Sequence, residues 1–450
     1  MFKRLTVVGL IALLLLTATV QLNPTAKTYL SSAPAMMTGM GAKLACSARY
    51  VSGFTVDRAR ADLLSYSPLL ALLSLNYDDQ RQQASASLLG LKTTKAQYRK
   101  GIGCSLNIGD TAHLDNLTVP SVQDLPSAWP RGNSTPDIDT DLQQLLDQIL
   151  IRDNQQGLNT RALALIHKER LVAESYGQDI TNKTQLLGWS MAKSIAAITI
   201  ATLEADQKIL TDETNLFAAW QGDKREQITL RSLMTMTSGL NFKEDYQPGA
   251  DATNMLFAAH SASDYALQSA AEFTPGTHWS YSSGTSNLLS RLIHDRLGED
   301  TQTTINYLHM RLLQPLAMAD TTMELDSSGV HVGSSYVYAS ARDWARMGQL
   351  MLAGGSLNDQ RIIAKDWVKR AVEPNRSKND QRYGYQFWLN QGGQQLRWPD
   401  LPEDSYAALG NRKQVVMIIP SKQAVIVRLG WTEGSYPTND NIAEILNAIP

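Results

Sequence analysis

Two β-hairpin patterns, one in the first half of the chain and one near its C-terminus, constrain the fold more than any other feature of the 450-residue sequence. Their apolar strand segments are Ala162–His167, Leu171–Ser175, Gln414–Ile419 and Ala424–Leu429. A short polar turn joins each pair, and the long stretch between the hairpins is mostly helical or irregular in character. Strands from both ends that frame a helical middle predict an α+β fold, in which helices flank one antiparallel sheet and a helical subdomain is inserted.

Apolar periodicity and proline content divide the chain into four predicted regions. They are an export segment at 1–22, an N-terminal extension at 23–106, a proline-rich linker or strap at 107–138 and the main domain at 139–450. The main domain begins with the i, i+3, i+4, i+7, i+8 apolar stripe of an amphipathic helix at residues 141–152. Apolar positions at residues 63–73 predict further helix in the extension, interrupted near Pro68.

The first region has the pattern of an export signal. Lys3 and Arg4 precede an apolar run from Leu5 to about Val20, which is long for a cleaved signal and short for a membrane span. We therefore expect a periplasmic or secreted protein. Cleavage would release it, whereas an uncleaved segment at residues 5–20 would anchor it to the inner membrane.

The sequence contains two cysteines, Cys46 and Cys104, both in the extension. In an exported chain the simplest prediction is one disulfide, which would contribute roughly 4 kcal/mol by restricting the unfolded chain. Two buried free thiols are the alternative. The extension itself is either a structural appendage or a docking site for a partner.

Charge and histidine spacing exclude several classes of function. The chain has 41 basic and 43 acidic side chains and no basic block, which argues against nucleic acid as a partner. Its seven histidines are scattered, and none has the spacing of a metal-binding motif. We therefore expect no metal and no cofactor.

The strongest chemical signal is Ser190-Met-Ala-Lys193, which precedes an apolar run at residues 195–203. Residues three positions apart share one face of a helix, so the Lys193 amine can reach the Ser190 hydroxyl. Serine becomes nucleophilic when a neighbouring base takes its proton, and burial lowers the pKa of lysine towards that role. The pattern predicts an acylatable serine, and a helix cap beside an exposed lysine is the structural alternative.

Further motifs follow this one in a consistent order. They are Leu-Met-Thr-Met-Thr-Ser-Gly at 233–239, Pro275-Gly276 before Tyr281-Ser-Ser283, and Tyr338-Ala-Ser-Ala-Arg342-Asp343. With the Ser-x-x-Lys motif, they resemble the β-lactamase-related serine hydrolases over roughly residues 138–448. That family includes class C-like β-lactamases, D-amino-acid peptidases, small-ester esterases and 6-aminohexanoate-dimer hydrolases, and the chain is most similar in texture to the last group.

The resemblance implies roles for several residues. Ser190 would be the nucleophile, Lys193 its base, and Tyr281 a proton relay hydrogen-bonded to both. Ser283 stands where many relatives have Asn, and it would affect substrate choice. Tyr246, Ser283, Gly410 and Trp388 are the candidate substrate-binding residues, although aromatic residues such as Tyr246 and Trp388 more often serve in packing.

The third family element departs from its usual pattern. Relatives carry Lys-Thr-Gly or Gly-His-x-Gly-Gln, whereas this chain has Ala408-Leu-Gly410-Asn411-Arg-Lys413-Gln. The resemblance implies the backbone N–H groups of Ser190 and Asn411 as oxyanion donors, since a backbone donor survives side-chain replacement. Lys413 replaces a glycine, so we expect a loop whose backbone is harder to form. Without the Lys-Thr-Gly lysine, we expect inefficient β-lactam hydrolysis.

Together these features predict a serine hydrolase that cleaves small ester or amide bonds through an acyl-enzyme on Ser190. The alternative is a non-catalytic protein of the same fold that binds peptide or cell-wall fragments in the envelope. The altered loop at residues 411–413 motivates that alternative.

Overall fold

The computed structural model describes residues 24–450, with side chains from residue 28 onward. The predicted export segment, including the apolar run at residues 5–20, lies outside the described residues. Within residues 24–450, no helix combines the length and the apolar character that a membrane span requires.

The N-terminal extension consists of a long helix packed on a small antiparallel sheet. Its elements are α1 (Pro24–Tyr50), α2 (Val56–Leu64), β1 (Leu73–Asp78), β2 (Gln83–Leu88), β3 (Lys92–Arg99) and β4 (Gly103–Leu106). The strands pair in sequence order, β1-β2-β3-β4. A Cβ placed on Gly41 of α1 would lie 2.9 Å from the Cβ of Ala86, so helix and sheet are in direct contact.

The expectation of helix in this region was only partly right. Helix α2 ends at Leu64, a short 3-10 helix covers Pro68–Leu72, and Leu73 already begins strand β1. The sheet was missed because its strands are rich in Ser, Thr, Gln and Ala and show little apolar alternation. Their small buried side chains suffice because α1 supplies the apolar surface that covers them.

The main domain contains the remaining helices and strands of the described chain. Its helices are α3 (Thr140–Gln155), α4 (Ala192–Ala205), α5 (Leu230–Met234), α6 (Asp251–Phe257), α7 (Ala262–Leu267), α8 (Ser283–Arg296), α9 (Thr301–Leu308), α10 (Ala341–Leu352), α11 (Lys365–Ala371) and α12 (Thr438–Ala448). Its strands are β5 (Thr160–His167), β6 (Arg170–Tyr176), β7 (Leu186–Leu187), β8 (Thr321–Met323), β9 (Val337–Ala339), β10 (Ser356–Leu357), β11 (Gln360–Arg361), β12 (Trp388–Leu389), β13 (Tyr406–Gly410), β14 (Gln414–Ile419) and β15 (Ala424–Gly430). The helix predicted at residues 141–152 is α3, and the Asp139 carboxylate caps it by accepting the Leu142 N–H.

Within the described chain, six strands form the main antiparallel sheet, in the order β12-β13-β14-β15-β5-β6. Strand β15 pairs with β5, with Val427 opposite Ala164, so the two predicted hairpins lie side by side. Helix α10 packs closely on one face, where a Cβ on Gly348 would lie 2.5 Å from Val425. Helices α3 and α12 cover the other face through a separate apolar cluster. The helical elements α4 to α9 are inserted between the hairpins, which confirms the predicted α+β fold.

The proline-rich segment at residues 107–138 is fixed to the main domain. Arg346 of α10 donates hydrogen bonds to the carbonyl oxygens of Pro130 at 2.9 Å and Gly132 at 2.6 Å. The Arg346 side chain is buried, and it also pairs with Asp343. These contacts make the segment a packed strap over α10 rather than a free connection.

The extension is joined to the main domain by a buried ion pair beside a disulfide. The Lys43 ammonium on α1 pairs with the Glu324 carboxylate, which also accepts the Ser47 hydroxyl at 2.8 Å and the Cys104 N–H at 2.7 Å. Cys46 and Cys104 form a disulfide that links α1 to β4. Because buried charges require closely defined partners, this cluster holds α1 at one position on the main domain.

Candidate active site

Ser190 lies in a tight turn between β7 and α4. Trp189–Met191 form one 3-10 turn, and α4 begins at Ala192. Trp189 has a φ of +47°, which is unusual for a residue with a side chain. Its ring packs against Tyr66 and Trp431, which hold the turn in this conformation. The result is a partly exposed Ser190 at the mouth of a mostly buried helix.

Lys193 lies one helical turn further on, where it is buried and makes three hydrogen bonds. Its Nζ is 3.3 Å from Ser190 Oγ, 3.0 Å from Ser283 Oγ and 2.8 Å from the Ser334 carbonyl oxygen. Burial lowers the pKa of Lys193 to about 8, and the negative charge of Glu244 partly opposes that shift. An appreciable fraction of the amine is therefore uncharged in neutral to mildly alkaline solution and can accept a proton.

The partners of Lys193 decide where the lone pair of its neutral amine points. The Ser334 carbonyl can only accept a hydrogen bond, and the Ser283 hydroxyl donates its own proton to Glu244 Oε1 at 2.6 Å. The two N–H bonds of a neutral amine satisfy these two acceptors. Of the three described partners of Lys193, Ser190 is the one whose hydroxyl proton is left to donate. In the uncharged amine we therefore expect the lone pair to face the Ser190 hydroxyl.

Glu244 organises this group, although its sequence context indicated no role. Its carboxylate accepts the Ser283 backbone N–H at 2.7 Å, the Ser283 hydroxyl at 2.6 Å and the Tyr246 hydroxyl at 2.8 Å. A single glutamate in a polar loop is normally solvated, so its own pattern predicted nothing. The available signal was its position two residues before Tyr246, which was already a candidate.

Tyr281 lies beside Ser190 in the segment that precedes α8. Burial and the charge of Glu244 raise the pKa of Tyr281 well above its usual value, and a hydrogen bond with Ser190 partly offsets the rise. The Lys193 Nζ lies 5.1 Å from the centroid of the Tyr281 ring, and its three hydrogen bonds go to Ser190, Ser283 and Ser334. Trp388 stacks on the same ring, with centroids 5.2 Å apart, and thereby supports Tyr281.

Strand β13 passes very close to the turn that carries Ser190. A Cβ on Gly410 would lie 2.1 Å from the carbonyl oxygen of Gly188, so a side chain at this position would collide with the turn. Asn411 follows directly and is exposed. The two residues predicted to hold the oxyanion, Ser190 and Asn411, therefore lie on segments that touch each other.

The loop after β13 holds two consecutive residues in left-handed backbone conformations. Arg412 has a φ of +59° and Lys413 a φ of +65°, which costs roughly 1–2 kcal/mol for each residue. The buried Arg428 guanidinium donates to the carbonyl oxygens of Arg412 at 3.2 Å and Lys413 at 2.9 Å. The Gln414 side chain donates to the Asn411 carbonyl oxygen at 3.2 Å. These contacts hold the backbone that a glycine would adopt more easily.

Four of the predicted residues form one connected group. They are Ser190, Lys193, Tyr281 and Ser283. Tyr246 joins them through Glu244, and Tyr246 and Asn411 also line a cleft of about 280 Å³ beside the Ser190 turn.

In residues 24–450, no group of three or more His, Cys, Asp or Glu side chains is arranged to hold a metal ion. A serine hydroxyl, an uncharged amine and a protonated phenol in contact can carry out acyl transfer.

Comparison with known proteins identifies the family. Residues 138–446 match the family described as Beta-lactamase. A relative, the 6-aminohexanoate-dimer hydrolase of Paenarthrobacter ureafaciens, is 21% identical over 290 residues, which cover 61% of this chain and 73% of that protein.

Solved structures show the same fold. The D-amino acid amidase from Ochrobactrum anthropi SV3 has a TM-score of 0.54 at 18% identity and covers 69% of this chain and 99% of its own. A family VIII carboxylesterase has a TM-score of 0.54 at 11% identity and covers 70% of this chain and 99% of its own. At these identities the two structures bear on the fold alone, whereas the family match spans more than half of the chain. The chain therefore belongs to the beta-lactamase family and is a serine hydrolase.

Proposed function

We propose that this serine hydrolase cleaves small ester or amide bonds through an acyl-enzyme on Ser190. The Lys193 amine takes the Ser190 proton as Oγ attacks the carbonyl carbon, and Tyr281 passes a proton to the departing alcohol or amine. Water then attacks the carbonyl carbon of the acyl-enzyme and gives a proton to the Tyr281 phenolate, while protonated Lys193 returns its proton to Ser190 Oγ as the acyl–oxygen bond breaks and the carboxylic acid leaves. The observation that carries this proposal is the buried Lys193 amine 3.3 Å from Ser190 Oγ, with the Ser334 carbonyl and the Ser283 hydroxyl as acceptors for its N–H groups.

The backbone N–H groups of Ser190 and Asn411 would stabilise the oxyanion. Ser190 stands just before the first turn of α4, where the positive end of the helix dipole favours negative charge. The side chain of Asn411, which replaces the usual His, does not change the backbone donor. Loss of one such donor costs about a hundredfold or more in rate, so the hold of Arg428 on this loop matters for the chemistry.

The substrates that fit this proposal are small esters, amides or short peptides. Relatives that carry Lys-Thr-Gly have a lysine for a substrate carboxylate, whereas this chain has the buried Ala408 at that position. A carboxylate placed there would lose its hydration without gaining that partner. We therefore infer that β-lactams are poor substrates.

We also propose that the protein works outside the cytoplasm, in the periplasm or as a secreted protein. Two observations support this location: the signal-like pattern at residues 3–20 and the Cys46–Cys104 disulfide. Fractionation of cells that express the full chain, beside a chain without residues 1–22, tests it. Equal recovery of both from the cytoplasm would contradict export, and recovery of the full chain with membranes would favour an uncleaved anchor.

The nucleophile is tested by intact mass after incubation of the folded protein with a fluorophosphonate. We expect one adduct on the wild-type chain and none on Ser190→Ala. Ser238→Ala is the matched control, because it changes a buried serine in a neighbouring loop and should still be labelled. A folded wild-type protein that forms no adduct would overturn the proposal and favour the non-catalytic binding function.

Replacing Glu244 by Gln should move the pH dependence of ester hydrolysis. The charge of Glu244 raises the pKa of Lys193, so its loss should lower that pKa and shift the acidic limb of kcat/KM to lower pH. Tyr246→Phe removes a hydrogen bond to Glu244 but keeps its charge, so in this control the limb should stay in place. A limb that is unchanged or moves to higher pH in Glu244→Gln would argue against this electrostatic effect.

Replacing Arg428 by Met should distort the loop that carries Asn411. We expect kcat/KM to fall between about tenfold and a hundredfold, and thermal or urea unfolding to show a loss of about 1.5–3 kcal/mol. Adding Lys413→Gly to this variant should recover part of the stability, because glycine tolerates a positive φ without strain. Unchanged activity in the single variant would show that Arg428 does not position the loop.

A further inference from the structure

A mostly apolar cleft of about 280 Å³ lies beside the turn that carries Ser190. Trp189, Tyr246 and Asn411 are among the residues that line it. Trp189 adjoins the nucleophile in sequence, Asn411 is the proposed oxyanion residue, and Tyr246 is hydrogen-bonded to Glu244. The cleft therefore lies next to the turn that carries the nucleophile and to the proposed oxyanion residue.

One wall of the cleft comes from the N-terminal extension. Met36, Met37 and Met40 of α1 line it, together with Tyr66 and Leu70. The matched family region begins at residue 138, so this wall lies outside it. Methionine side chains are flexible and polarisable and adapt to apolar ligands of different shape. Among the described residues that line the cleft, none carries a charge.

Helix α1 is held firmly enough to define this wall. A Cβ on Gly39 would lie 1.8 Å from the carbonyl oxygen of Phe257, so the helix meets the backbone of the main domain directly. The Lys43–Glu324 ion pair and the Cys46–Cys104 disulfide lie within the next two turns of the same helix. A wall fixed in this way can select among substrates by size.

From this adjacency and the uncharged lining we infer that the cleft binds the neutral, apolar acyl chain of the ester or amide substrate. Its volume of about 280 Å³ leaves room for an acyl chain of several carbons. An ammonium or carboxylate group would be desolvated there without a charged partner, so the cleft selects against charged acyl groups. This inference rests on the proposed function and specifies its substrate class: medium-chain acyl esters or amides, selected by the N-terminal extension.

The test measures kcat/KM of the full chain for p-nitrophenyl esters from acetate to dodecanoate. For wild type we expect a rise of up to about fourfold for each added methylene, ending near octanoate or decanoate when the cleft is full. Met40→Trp fills the cleft and should lower the octanoate-to-acetate ratio about tenfold or more. Met36→Ala enlarges it and should move the preferred chain length up by about one or two carbons.

Leu30→Trp is the matched control on the same helix, because Leu30 is 50% exposed and does not line the cleft. It should keep the wild-type ratio. The inference would be overturned if the octanoate-to-acetate ratio of kcat/KM in the wild-type protein were near one. It would also be overturned if Met40→Trp and Met36→Ala both kept the chain-length profile of the wild-type protein. Fluorophosphonate labelling of the same samples separates the two proposals: unlabelled wild type means that the hydrolase mechanism fails, whereas labelled protein without chain-length preference means that only the acyl cleft fails.

Discussion

Replacing Lys193 by methionine should lower kcat/KM for a short activated ester by about a thousandfold or more. General-base catalysis contributes about 10²–10⁴-fold in enzymes, and the described site offers the amine of Lys193 as the base in contact with Ser190. Methionine nearly preserves the length of the buried side chain, so the protein should remain folded. The measurement is steady-state hydrolysis, with circular dichroism to establish that the variant is folded.

The pH profile separates a base from a structural lysine. Only the uncharged amine accepts the Ser190 proton, so wild-type kcat/KM should rise with pH and level off above the pKa of Lys193, which is about 8. The residual activity of Lys193→Met should lack this limb. Lys183→Met, on an exposed lysine that pairs with Asp124, is the matched control and should retain both rate and limb. A Lys193→Met variant that keeps the limb would assign it to another group and remove Lys193 as the base.

Replacing Lys43 by methionine should lower the free energy of unfolding by about 3–5 kcal/mol. The substitution leaves the Glu324 carboxylate buried without its cation, while Ser47 and Cys104 still donate hydrogen bonds to it. Urea unfolding with the disulfide intact measures the change. Arg81→Met, which removes an exposed ion pair with Asp78, is the control and should cost less than about 1 kcal/mol.

A double-mutant cycle shows whether the cost comes from the unpaired charge. Glu324→Gln keeps an oxygen that can accept from Ser47 and Cys104 but removes the negative charge. The combined Lys43→Met and Glu324→Gln variant should therefore be more stable than Lys43→Met alone. Additive losses would show that Lys43 and Glu324 are not coupled and that the extension is held by its apolar contacts.

The chain-wide pattern could be predicted because it rests on local periodicity. The hairpin at residues 162–175 and the helix at 141–152 correspond to β5, β6 and α3 with small shifts at their ends. The sheet at residues 73–106 could not be predicted in this way, because Ala84, Ala86 and Ala96 form a buried face with too little apolar contrast for a period-two signal. That face exists only because α1 covers it.

The candidate site also contains residues that local patterns predict and residues that only long-range contacts bring in. Ser190 and Lys193 are three residues apart, so their contact follows from helix geometry, and motif order indicated Tyr281 and Ser283. Glu244 had no such local pattern, since its hydrogen bond to Ser283 spans 39 positions. For Arg428 the sequence signal is weak: it is one charged residue inside the otherwise apolar strand β15.

By itself the sequence determined the α+β class and the motif order that places the chain among β-lactamase-related serine hydrolases. These are local properties: the alternation of apolar residues, helix spacing and short motifs survive without knowledge of distant contacts. Only the tertiary structure decided which groups surround the Lys193 amine, how Arg428 holds a loop of non-glycine residues in left-handed conformations, and that the N-terminal extension lines the cleft. Each depends on contacts between segments far apart in the chain, such as Lys193 with Ser283 across 90 positions, and such contacts form only when the complete core is packed.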